Sequence, residues 1–136
     1  MLRGEKCNVT ARGLLAHIDE LRVFMSNSKI NILSFNETKL DATIEDSEVY
    51  LPGFEIARKD RKVNGRNGGG VCIYVQCNLN CKIRDDLCTE NLECLVLEIT
   101  KPRSRLFLVS TWYRLSDSPM SLFNDLQELV NKNISF

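Results

Sequence analysis

The 136-residue sequence is short of several things, and each shortage narrows what the chain can do. It holds a single histidine, His17, and none of its six cysteines sits in a Cys-x-x-Cys pair. Zinc centres depend on such ligand spacings, so none is expected. No apolar run approaches the ~18 residues that a membrane helix needs. The opening segment, MLRGEKCNVTARGLL, lacks the uninterrupted apolar core of a secretory signal. An intracellular chain, nuclear or cytoplasmic, is therefore expected, with thiols rather than disulfides. The glycosylation-like triplets at Asn8, Asn36 and Asn133 then carry no weight. Lys+Arg and Asp+Glu are equal at 18 each, so no global field advertises nucleic acid. Repeats and low-complexity segments are missing too, which excludes a solenoid.

What is present fits one soluble domain with a real core. Leu14, Leu15, Ile18, Leu21, Phe24 and Met25 recur at helical spacing and predict an amphipathic helix over 13–27. It lies between predicted strands at 5–11 and 30–36, a pattern for a right-handed parallel crossover. INILSF reads as a strand buried on both faces, which suits a central position. Residues 54–77 read as a long β-hairpin. Its tip, RKVNGRNGGG, is basic and rich in glycines that permit positive φ and close backbone approach. No helix follows Gly68-Gly69-Gly70, so this is not a phosphate-binding P-loop. ECLVLEI and RLFLVSTWY are two further strands, and Pro119 opens a second amphipathic helix over 119–130. Cys72, Cys94 and Cys7 fall inside apolar strand patterns, where a free thiol acts as a small hydrophobe.

Charge is unevenly placed. Glu37, Asp41, Glu45, Asp46 and Glu48 make one acidic stretch, followed by the basic Arg58, Lys59, Arg61, Lys62 and Arg66. Basic loops of this kind contact phosphates in some proteins and are merely solvated turns in others. The run ILSF ends in Asn36-Glu37-Thr38-Lys39, an amide, a carboxylate, a hydroxyl and an ammonium in succession. Strand ends are common places for ligand chemistry, and equally the place where a chain surfaces into a loop.

In this order, ARGLL…HIDELR, NETKL, LPGFEIARKDR…NGGGVCIYV, LECLVLEI and STWYR resemble the endonuclease/exonuclease/phosphatase superfamily, the DNase I-like group. The subgroup most resembled is the apurinic-type endonuclease domain found beside the reverse transcriptase of non-LTR retrotransposons. Nearly the whole chain, 1–136, takes part, as the amino-terminal half of such a domain. The resemblance implies an α/β fold, half of a two-sheet sandwich, with one mixed sheet and two helices on one face. It implies Mg²⁺ as cofactor and DNA as partner. Glu37 matches the family's metal-binding glutamate, with Asn36 as a hydrogen-bonding neighbour. Tyr113 and Arg114 match a pair that holds the scissile phosphate. Arg58, Lys59, Arg61, Lys62, Arg66 and Asn67 correspond to a DNA-contacting loop.

Two departures are visible. Thr10 stands where the family has an asparagine, and Asn8 lies ~6–7 Å back along the strand. The family's Tyr-Arg-Pro-Pro reads Tyr113-Arg114-Leu115-Ser116 here. The family's Gly-Asp-Phe-Asn motif, a later asparagine and a terminal Asp-His pair have no counterpart in this sequence. The expected function is thus a fragment of a Mg²⁺-dependent DNA endonuclease, a phosphodiester hydrolase, inactive alone. The alternatives are a non-catalytic nucleic-acid or protein-binding module, or a decayed product. With both helices on one face, the other sheet face would be uncovered and would drive self-association.

Overall fold

In the computed structural model, which describes residues 13–60, 69–88 and 93–113, the chain enters through a tight 3-10 turn, Leu15–His17. No side chain caps this turn, and the Leu14 N–H is drawn to the Thr38 carbonyl instead (2.9 Å). Helix α1, Ile18–Ser26, continues from it. The predicted 13–27 helix is therefore a 3-10 turn running into a shorter α-helix. Asp19 and Glu20 favour the start of α1 through its dipole. Ile18, Leu21 and Met25 are its buried stripe, while Val23 is exposed.

Among the described residues, the strands are β1 (Ile32–Asn36), β2 (Phe54–Lys59), β3 (Val71–Gln76), β4 (Asn80–Ile83), β5 (Glu93–Thr100) and β6 (Phe107–Tyr113). They form two three-stranded sheets in the orders β1-β3-β2 and β4-β5-β6, with every pairing antiparallel. Among the described residues there are thus two antiparallel sheets where one mixed sheet was expected. The 54–77 hairpin is present, with Phe54 opposite Gln76 and Lys59 opposite Val71. β1 lies at the edge of the described sheet, not its centre, and its apolar residues are only half-buried. The strand expected at 5–11 and the helix expected at 119–130 lie outside the described residues.

Alternation along β3 explains the layering. Cys72 and Tyr74 point towards α1 and pack with Leu14, Ile18, Leu21 and Met25. Val71, Ile73 and Val75 point the other way, onto Leu95, Leu97 and Ile99 of the second sheet. The sheet face expected to be uncovered is thus closed by β5, and this corrects the argument for self-association. Fully burying each such side chain contributes ~1.5–3 kcal/mol. Cys94 and Val96 face the far side of the second sheet, with Leu87, Leu108 and Trp112. Cys72 and Cys94 are buried as their strand patterns predicted, and the five described cysteines are all free thiols. No helix among the described residues is long and apolar enough to cross a membrane.

Candidate functional site

The turn after β1 is unusual backbone. Glu37 and Lys39 both have φ of 56°, in the left-handed region that costs non-glycine residues ~1–2 kcal/mol each. Such conformations persist only where the surroundings over-determine them. Here they do. Thr38 and Lys39 donate their N–H groups to the Gly70 and Gly69 carbonyls (3.1 and 2.8 Å). The Thr38 carbonyl accepts from Leu14, so the turn is gripped from both sides.

Two glycines make that grip possible. A Cβ on Gly70 would lie 2.5 Å from the Thr38 hydroxyl oxygen. A Cβ on Gly13 would meet Lys39 Cβ and the Thr38 carbonyl at 3.0 Å. The glycine-rich end of the hairpin therefore serves close backbone approach, as the sequence suggested for Gly69 and Gly70. Thr38 itself is buried, with its hydroxyl near the Leu40 N–H (3.4 Å).

Two polar links then tie this end of the first sheet to the second. The Thr111 hydroxyl on β6 donates to the Asn36 amide oxygen. The Glu93 carboxylate, at the start of β5, accepts from the Gly70 N–H. Glu93 pairs in register with Tyr113, the last residue of β6. The ends of β1 and β6 and the starts of β3 and β5 thus meet at one end of the sandwich. Glu37 follows β1 directly, so its turn and the backbone of Tyr113 share that end. Arg114 and Thr10 lie outside the described residues.

The basic loop divides. Arg58 is committed inside the molecule. Its guanidinium forks onto Asp60 (3.1 and 2.6 Å) and reaches Asp46 (3.1 Å) and the Ile44 and Asp41 carbonyls (2.8 and 2.9 Å). The bond to Asp60 raises its pKa above the ordinary arginine value, against the opposing pull of burial. Arg58 therefore pins the acidic loop to β2 rather than offering a charge to phosphate. Lys59 is half-buried on the same strand. Arg61, Lys62, Arg66 and Asn67 lie outside the described residues.

Sequence reasoning missed Glu93 and Thr111 as members of this cluster. The available signal for Glu93 was a carboxylate heading an otherwise apolar strand. Thr111 had none, because a hydroxyl in LFLVSTWY is unremarkable for a strand.

Among the described residues, no three His, Cys, Asp or Glu side chains gather to hold a metal ion by themselves. Mg²⁺ asks for less, commonly one or two carboxylates completed by water and phosphate oxygens. Asn36 and Glu37 bring hard oxygen atoms to this end, which is the donor chemistry that Mg²⁺ prefers. Compared with family models, curated proteins and solved structures, the chain matches none.

Proposed function

We propose that this chain carries the Glu37 side of a Mg²⁺-dependent phosphodiester hydrolase site, of the kind found in DNA endonuclease domains of non-LTR retrotransposons. The observation that carries the reading is the Asn36–Lys39 turn. It holds a glutamate and a lysine in left-handed backbone, at the same sandwich end as the terminus of β6. Glycine would fit that backbone at lower cost, so the side chains are the gain.

Each residue has a role in the proposal. The Glu37 carboxylate would hold the ion, with Asn36 fixed beside it by Thr111. A bound Mg²⁺ supplies Lewis-acid stabilisation of the charge that develops on a phosphoryl oxygen. Tyr113 and Arg114 would hold the phosphate, the guanidinium through two parallel bonds. In the resembled family an Asp-Asn pair activates the water, and a segment carrying such a pair would complete the proposed site.

Nicking of supercoiled plasmid tests this. The 136-residue chain alone should not cut in Mg²⁺. Mixed with the carboxy-terminal half of a related domain, it should. Glu37→Gln in the mixture should lower the rate by about 10²-fold or more. Cutting that is indifferent to Glu37→Gln would remove the site assignment. Plasmid binding without Mg²⁺-dependent cutting in any mixture would favour a non-catalytic binding module instead.

A further inference from the structure

We infer that Glu93 is a positioning residue for the Glu37 turn, acting through the backbone of Gly70. What the turn is positioned for rests on the hydrolase reading above; the positioning itself does not. The Gly69 and Gly70 carbonyls hold the N–H groups of Lys39 and Thr38, one side of the grip on the left-handed Glu37 and Lys39. Those two glycines are themselves at φ of 68° and 85°, and glycine backbone is costly to immobilise. Something must anchor them.

The Gly70 N–H is the handle, and the Glu93 carboxylate takes it from the other sheet. A bond from an amide to an ionised carboxylate is about twice as strong as a neutral one. Because Glu93 opens β5, it is itself fixed by pairing across to β6. The sequence of holds is therefore β5 to Glu93, Glu93 to Gly70, Gly70 to Thr38, and Thr38 to the backbone of Glu37. Next to it, Thr111 secures Asn36 in the same direction, from the second sheet to the first.

The chemistry separates positioning from metal ligation. A glutamine at 93 keeps an oxygen that accepts from the Gly70 N–H but loses the negative charge that Mg²⁺ would use. Hydrogen exchange on the intact chain reads the first property, and Mg²⁺-induced amide shifts at Glu37 read the second. In Glu93→Ala, the Thr38 and Lys39 amides should exchange about tenfold faster or more, with the β5 amides unchanged. Glu93→Gln should restore most of the protection and most of the Mg²⁺ response. Should Glu93→Ala unfold the chain, Glu93→Asp, one methylene short of Gly70, serves for the same comparison.

Unchanged Thr38 and Lys39 protection in Glu93→Ala or Glu93→Asp would overturn the inference. So would a Glu93→Gln variant that keeps the protection but loses the Mg²⁺ response, because Glu93 would then be a ligand. If the unaltered chain shows no Mg²⁺ response at Glu37, the hydrolase reading fails. The exchange comparison still decides what Glu93 does.

Discussion

The Thr111 hydroxyl and the Asn36 amide oxygen meet across the two sheets, 75 positions apart in sequence. Asn36 is the last residue of β1 and Thr111 is buried near the end of β6, so their bond fixes how the strand ends face each other. Thr111→Val keeps the shape and deletes the donor, leaving Asn36 without that partner. A loss of about 1–2 kcal/mol in urea unfolding is expected, with Thr111→Ser recovering most of it.

Relief of backbone strain should separate folding from function at Glu37. Glu37→Gly removes the cost of φ 56° and is expected to raise unfolding stability by about 0.5–1 kcal/mol. The same substitution should abolish Mg²⁺-dependent cutting in the complemented assay. If Glu37→Gly destabilises the chain by as much as a core truncation would, the residue is there for the fold.

Two glycines of nearly equal φ should behave differently when given a methyl group. Gly53, at 83°, has nothing within 4 Å of its Cβ position, whereas Gly70, at 85°, would drive Cβ to 2.5 Å from Thr38 Oγ1. Gly53→Ala should cost about 1 kcal/mol from conformation alone. Gly70→Ala should cost about 3 kcal/mol or more and loosen the Thr38 and Lys39 amides in exchange measurements.

Arg58 should matter for stability and not for DNA. Its side chain is 12% exposed and its principal partner Asp60 is 22% exposed, so removing it strands a largely buried carboxylate. Arg58→Ala is expected to cost about 2–3 kcal/mol and to deprotect the 41–49 loop. Lysine cannot reproduce the fork, so Arg58→Lys should recover little. DNA affinity that tracked this substitution without any loss of stability would contradict the assignment of Arg58 to the loop.

Alkali should unfold the chain in a window set by buried acids. Burial pushes the Cys94 thiol up to about 11 and raises Cys72 and the Tyr74 phenol as well. These groups are held neutral in the folded state, so the unfolded chain gives up their protons first. Their contribution is fully present below the ordinary thiol value of about 8.5 and declines as pH rises through the folded values. Tm should therefore fall from about pH 8.5 upward. Cys94→Ala should flatten the part of that fall below about 11.

Much of the secondary structure was legible because apolar residues mark it directly. INILSF, FEIARK, VCIYV, ECLVLEI and LFLVSTWY all became strands, and Ile18, Leu21 and Met25 marked the helix face. β4 was not legible: its four residues are all exposed, and a short edge strand leaves no hydrophobic signature. Nor was the split into two sheets. A strand apolar on both faces, such as Val71 to Val75, announces that both will be covered without saying by what. At the candidate site, Glu37 was singled out by the family resemblance, since its place after a strand also suits a chain surfacing into a loop. The holds supplied by Glu93 and Thr111 were not legible, because they join residues far apart in sequence through single polar atoms.

The grip on the Asn36–Lys39 turn also has a kinetic consequence. Its parts come from Leu14, from Gly69 and Gly70, from Glu93 and from Thr111, and none is a sequence neighbour of the turn. Contacts of such separation must overcome loop closure before they return any stabilisation, so they form late. A chain that has collapsed but not yet docked its two sheets would contain every strand and still lack the left-handed glutamate. On the proposed function, Mg²⁺ affinity would then report completed folding, and partly folded chains would be silent.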